Sequence, residues 1–306
     1  MANFTSATYL PAGVGTAHRM FLDDGSYHEL ALSEVTNLIG HDSASRAVNF
    51  GDGSDGAVHH TSGSHTLTAD LYPTTYVADS GATVHTAGYR IFAKTSIVNN
   101  GTIDNSGAAA VLDAAGAAAA GVTVGAGAAG HAGGTGNGTA GTSTTNAYGG
   151  AGGAGGLGAG AHTGGAASTA TAPSSGNTLQ TFPGALTNQQ SATAGGTLFS
   201  AGAGGSSGGG DGTNKGGGGG GGGGGIGLYS PSVANNGTIS ANGGVGGAGA
   251  TNGAGGGGGG GGYVDIVTRA FSGNQPVVNG GLGGAKAGTG AVGLPGHAGV
   301  VSIISD

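Results

Sequence analysis

"NKGGGGGGGGGGIGLYS", residues 214–230, carries ten consecutive glycines into a short apolar stretch. Glycine has more backbone freedom to lose on ordering than any other residue. A run of it therefore reads first as a flexible linker. The competing reading is an ordered run whose N–H and C=O groups all find partners. A polyproline-II chain has three residues per turn, rises about 3.1 Å per residue and makes no internal hydrogen bonds. Without Cβ atoms such chains can approach closely and bond one another on all sides. At that rise the runs 216–225 and 255–262 would extend roughly 31 Å and 25 Å, similar lengths that suit side-by-side packing. "YGGAGGAGGLGAGAHTGG" (148–165) admits an occasional small side chain, as an outer chain of such a block would.

Outward from this run the chain repeats itself. "ANNGTISANGG" (234–244) matches "VNNGTIDNSG" (98–107). Each follows a strand opened by glycine, Gly225-Ile226-Gly227-Leu228-Tyr229 and Gly88-Tyr89-Arg90-Ile91-Phe92. A third copy, Gly262-Tyr263-Val264-Asp265-Ile266-Val267, leads to "PVVNGG" (276–281), with its faces offset by one residue. Gly299 to Ile304 reads as a closing strand. The unit is thus a strand module of about 20 residues interrupted by glycine-rich excursions at 108–224, near 245–261 and at 280–298. Repeats of this size stack, each burying what its neighbour exposes.

Residues 1–48 differ from the rest. Arg19 to Leu22, Asp23-Asp24-Gly25-Ser26 and Tyr27 to Leu32 read as strand, turn and strand. Ser33 to Ile39 fits a helical turn or a third strand. This part reads as an attachment module. Residues 49–107 form a β-strand domain of alternating apolar and polar positions between glycine and asparagine turns. Residues 108–306 are the glycine-rich part, interleaved with short strands.

Composition narrows the function. Of 306 residues 79 are glycine, against a usual share of about 7%, and 7 are proline. There is no Gly-X-Y period, so this is not collagen. Charged residues make up 7%, too few for a charge-solvated tail. The net charge of −7 offers no basic patch for nucleic acid. Cysteine is absent, which removes disulfides and thiol chemistry. MANFTSATYLPAG has no basic or apolar region of a signal peptide, and no stretch approaches a membrane span.

Catalytic patterns match only by glycine content. Gly204-Gly205-Ser206-Ser207-Gly208 fits G-x-S-x-G without the strand and helix that give it meaning, and the G-x-G-x-x-G matches lack the same context. Neither Lys215 nor Lys286 is followed by Ser or Thr, so there is no P-loop. Glutamate occurs only at Glu29 and Glu34. No enzyme and no cofactor are expected. His59, His60, His65 and His85 could meet a metal or anion on a three-fold axis. With no paired ligand spacing they read as exposed strand histidines, and no metal site is expected. Asp52 and Asp55 in "GDGSDG" flank glycine turns and lack EF-hand spacing.

One island breaks the long excursion, "GNTLQTFPGALTNQQSATAGGTLFS" (176–200). Its large side chains do not fit a close-packed glycine lattice and must lie at an end or edge. Phe182, Leu186, Asn188, Gln189, Gln190 and Phe199, with Tyr148, are the expected recognition residues of a tip loop. A capping loop that shields the block's end is the alternative.

"FGDGSDGAV" (50–58), "GYRIFAK" (88–94) and "NNGTIDNSG" (99–107), followed by the glycine-rich sequence, resemble glycine-rich tail and fibre proteins of tailed bacteriophages. The long runs resemble the polyglycine-II sandwich of T-even-type tail-fibre adhesins. In that family a hydrogen-bonded glycine block carries tip loops that bind a bacterial surface receptor. The resemblance covers residues 49–306; the strand units and the N-terminal module depart from the adhesins. It implies an all-β chain, sandwich- or solenoid-like, with a polyglycine-II bundle. It also implies a homotrimer that joins other virion proteins through residues 1–48 and meets a protein or glycan receptor on the host surface. Tail fibre or tail tip, capsid decoration or head fibre, and a bacterial cell-surface glycine-rich protein are the readings it leaves. On the first two the protein is part of the virion and is made in the host cytoplasm.

Overall fold

The computed structural model describes residues 18–21, 27–30, 50–145, 149–171 and 201–305. The chain divides into two compact units, Met1–Asn49 and Phe50–Asp306. In the first, β1 (His18–Phe21) and β2 (Tyr27–Leu30) pair antiparallel, with Phe21 opposite Tyr27 across the Asp-Gly stretch.

The second unit is built on three parallel sheets, which the chain visits in a fixed order. β3 (Ala57–His60) lies in the first sheet and β4 (Gly63–Thr66) in the second, and Leu71 bridges to Ile91 of the third. The next rung is β5 (Thr75–Ala78), β6 (Ala82–His85) and β7 (Arg90–Phe92). β8 (Ser96–Asn99) and β9 (Thr102–Asp104) begin a third rung. Residues 105–224 then leave it, with a short parallel pair of β10 (Thr144–Thr145) and β11 (Ala170–Thr171) among them. β12 (Gly225–Tyr229) completes that rung. β13 (Ser232–Asn235), β14 (Thr238–Ser240) and β15 (Tyr263–Thr268) make the fourth. β16 (Ala270–Gly273), Val277 bridged to Ser240, and β17 (Val300–Ser305) make the last. Every excursion opens at the same corner, between the second sheet and the third.

Among the described residues the chain is strand-rich and has no helix, in keeping with an all-β chain, and of the sandwich- or solenoid-like arrangements expected the second fits: the sheets of this unit are parallel and coil around one core. Aligned residues stack inward across the rungs. Tyr76, Ile97 and Val233 follow one another in the first sheet, Val84, Ile103 and Ile239 in the second, and Ile91, Leu228, Ile266 and Ile303 in the third. They belong to one apolar cluster.

The repeated "NNGT" is the corner between first and second sheets. Asn99 Nδ2 donates to Asn235 Oδ1 at 2.8 Å, and Asn236 Nδ2 to Asn100 Oδ1 at 3.0 Å. A Cβ on Gly237 would sit 2.0 Å from the Gly101 carbonyl oxygen, so the rungs stack this closely only with glycine there. On the outward side of the third sheet the rings of Tyr72, Phe92 and Tyr229 stack at 5.2 and 4.7 Å. Beside them Asp265, 1% exposed, accepts a hydrogen bond from Tyr229 Oη at 3.0 Å.

The excursions run away from the sheets and back as laterally hydrogen-bonded segments. Outbound are 105–112, 125–134, 149–158, 201–210, 241–249 and 278–287; returning are 115–121, 138–145, 163–171, 216–225, 254–262 and 291–299. Bonding has a three-residue period. In 216–225 the N–H groups of Gly217, Gly220 and Gly223 donate to the carbonyls of Ala254, Gly257 and Gly260. Those of Gly218 and Gly221 go to Leu112 and Ala108, and those of Gly216, Gly219 and Gly222 to Gly134, His131 and Ala128. The carbonyls of the same run accept from 202–208, 116–119 and 244–247. Segments 201–210 and 254–262 are enclosed in the same way, and the other nine ring these three.

Glycine dominates the enclosed segments, because at most of their positions nothing larger fits. A Cβ on Gly220 would lie 2.0 Å from Gly244 O, and one on Gly257 2.0 Å from Gly153 O. In the ring, side chains appear where a segment faces outward, as at Ala151, Ala154 and Leu157. Ala201, Ala203, Ser206, Ser207 and Ala254 are exceptions inside the block. Ser206 Oγ accepts the Gly141 N–H and donates to Ala166 O, and Ser207 Oγ accepts the Thr139 N–H.

Candidate functional site

The recognition residues expected from the sequence, Tyr148, Phe182, Leu186, Asn188, Gln189, Gln190 and Phe199, lie outside the described residues. The flanks of the island do not. Thr171 pairs with Thr145, and Ala201 packs with Val124 and Tyr263 of β15. Gly125 N–H donates to Tyr263 Oη at 3.0 Å. Residues 171 and 201 therefore sit at the end of the block next to the sheets.

The opposite end is formed by the tight turns at 111–114, 135–137, 159–162, 211–215, 250–253 and 287–290, which link the outbound and returning segments. They are joined to one another. Gly133 N–H donates to Asp113 O at 2.8 Å, and Gly212 N–H to Thr135 O at 2.8 Å. Thr163 N–H donates to Asn137 Oδ1 at 3.0 Å, Ala250 N–H to Lys215 O at 3.1 Å, and Thr289 N–H to Asn252 Oδ1 at 3.4 Å. Leu112, Ala161 and Thr251 have φ of 52°, 68° and 45°, in the left-handed region that close turns use.

At this end Lys215 and Asp113 pair with each other, and Asp211 is satisfied within its own turn. Lys215 Nζ lies 2.8 Å from Asp113 Oδ2, and this bond holds the Asp113 carboxyl below its ordinary range. Asp211 is held low by the Asn214 side chain at 2.8 Å and by the backbone N–H groups of Asn214 and Thr213. What remains for a ligand is an array of amide and hydroxyl groups from Asn137, Thr213, Asn214, Thr251, Asn252 and Thr289, with His162 among them. Recognition of a surface is chemistry this array can do. No sequence motif sets these turns apart as a site. Their signal is polar residues breaking the glycine texture, in "GDGTNKG" and "ATNGAG".

The histidines lie on the first rungs. His59 Nε2 is 2.8 Å from Asp79 Oδ2, and His85 Nδ1 is 3.5 Å from Asp104 Oδ2. The His60 ring lies 4.3 Å from that of His65, tilted by 37°, and His65 Nε2 bonds Ser62 O at 2.8 Å. Burial, then His65 and His59, hold the His60 imidazole below its usual pKa. Among the described residues no three His, Cys, Asp or Glu side chains gather into a metal-binding group. Asp52 Oδ1 accepts Ser54 N–H at 2.9 Å, the local bond of a turn residue, and Asp55 Oδ2 accepts Tyr72 N–H, 17 residues on, at 2.6 Å.

Set against family models, curated proteins and solved structures, the chain has no match.

Proposed function

We propose that the chain is a non-enzymatic structural and host-recognition protein of a phage virion, a tail fibre or tail-tip adhesin. In this reading the hydrogen-bonded glycine segments are a polyglycine-II block that acts as a strut. The turns at its far end meet the host surface, and the sheets connect the strut to the particle through residues 1–48. The observation that carries the reading is the three-residue hydrogen-bond period that encloses 201–210, 216–225 and 254–262 on every side. The few side chains inside the block, such as Ser206 and Ala203, are fully buried and cannot reach a partner, so the block's work is to hold the polar turns in fixed positions. Such pre-ordering lowers the entropy lost on binding.

Mass spectrometry of purified virions tests the class: the protein is expected in particles, and its absence from them would end the reading. The recognising end is tested by adsorption. Asn214→Ala with Asn252→Ala is expected to leave the fold intact and slow adsorption at least tenfold. Unchanged adsorption would return recognition to residues 176–200.

A further inference from the structure

The second sheet and one side of the glycine block share a single register. Asp104 aligns with Ser240, 136 residues on, and Ser240 bridges to Val277, 37 further. The same offsets continue into three parallel outbound segments. Gly107 and Ala110 N–H donate to Asn242 and Val245 O, both at 2.8 Å. Gly243, Gly246 and Gly249 donate to Asn279, Leu282 and Ala285 O at 2.8, 2.9 and 3.1 Å. The three-residue period then sets outward side chains in rows. Nearest the sheets is a polar row of Ser106, Asn242 and Asn279, in which Asn242 N–H donates to Ser106 Oγ and Asn279 N–H to Asn242 Oδ1. Beyond it are two apolar rows, Ala109, Val245, Leu282 and then Leu112, Ala248, Ala285. Leu282 is 69% exposed, Leu112 63% and Val245 42%.

We propose that the two apolar rows are covered by a second copy of this chain, related by a twofold axis that runs along segment 241–249. Single exposed apolar residues are ordinary, but a contiguous array of them on a flat face marks an interface. Two features of this face select a copy of the same chain. The first is charge. The chain carries −7, so copies repel in general, whereas none of the nine grid positions is charged and this face meets its own image without like charges. The second is shape. The axis sets Leu282 of one copy over Ala109 of the other and Leu112 over Ala285, large against small, with Val245 on Val245 and Ala248 on Ala248. It also lays the polar row on the polar row. An isologous interface requires such self-complementarity. Backbone bonds fix the face and its side chains are short, so docking orders little. Both far ends then point the same way.

The inference does not depend on the virion role. Its test is the native mass of the full chain at micromolar concentration, with Val245→Lys and Val245→Glu. The wild type is expected to be a dimer. Each variant alone is expected to be a monomer, because the axis brings two like charges together, and an equimolar mixture is expected to restore the dimer. Leu282→Glu, beside Val245 in the neighbouring segment, is expected to be monomeric as well. Hydrogen exchange across 216–225 should match wild type in every variant, which separates loss of the interface from loss of the fold. A monomeric wild type, a trimeric mass, variants that keep the wild-type mass, or a mixture that stays monomeric would each overturn the pairing.

Discussion

The sheets and the glycine block share one corner and one register, yet they exclude water in opposite ways. In the sheets, Tyr76, Ile97, Leu228 and Ile239 fill the space between rungs, and burial of their apolar surface is the main favourable term. In the block there is no side chain to bury along Gly216–Gly225. The segments are held by a backbone bond at almost every residue and by close approach that removes voids. The lesson is that an ordered polyglycine core is intolerant in a different sense from an apolar one. An apolar core fails when atoms are removed; this one fails when a single carbon is added.

Substitutions in the two regions sharpen that contrast. Gly220→Val is expected to have the largest effect. Its Cβ alone would lie 2.0 Å from Gly244 O, and that atom is fixed by backbone bonds, so a loss of more than about 4 kcal/mol is expected in denaturant unfolding. A loss below about 1 kcal/mol would mean that the segments can part at little cost. In the sheets Ile97→Ala, at a fully buried position, should cost about 3 kcal/mol through lost burial and the cavity left behind.

Asp265→Asn adds a pH dependence. Burial pushes the Asp265 carboxyl up to about 6, against hydrogen bonds from Tyr229 and Ser302 that act the other way. The folded state thus holds this proton more tightly than the unfolded chain. The penalty for burying the charge is complete above about pH 6 and fades as pH falls toward 3.8. Wild type is therefore expected to gain on the order of 2 kcal/mol between pH 7.5 and 4.5 relative to Asp265→Asn. His60, with its depressed pKa, pulls the other way in both proteins and cancels in the difference. Equal pH profiles would place the carboxyl in contact with water. The smallest effect is expected at the block's far end. Gly134→Ala adds a Cβ that meets nothing within 4 Å, so stability should rise by about 0.5 kcal/mol or stay unchanged.

Much of this arrangement is legible in the sequence. "VNNGTIDNSG" and "ANNGTISANGG" stack with Asn99 on Asn235 and Thr102 on Thr238. Gly88 and Gly225 occupy equivalent places, since Arg90 aligns with Gly227. The third copy slips by one, with Tyr263 rather than Gly262 beside Gly225, which is the offset seen in its alternating faces. The glycine runs 216–225 and 255–262 mark two of the three enclosed segments and the GGX texture marks an outer one, whereas 201–210, with its alanines and serines, carries no such mark. Parallel pairing was not legible. Asn-Gly between two strands is also the signal of a hairpin, and only the position of a partner more than a hundred residues away makes it a corner instead. The polar far end was hidden for the same reason: its turns are scattered along the chain and meet only when the segments align.

Hydrogen exchange across Gly216–Gly225 tests the central claim most directly. If these glycines are the enclosed core of a bonded block, their amides exchange as slowly as those of Ile97 and Val233 in the sheets, within about tenfold, because all open only with the fold. Exchange at the rate of an unprotected chain across the run, while the sheets stay protected, would contradict the account and make the run a linker.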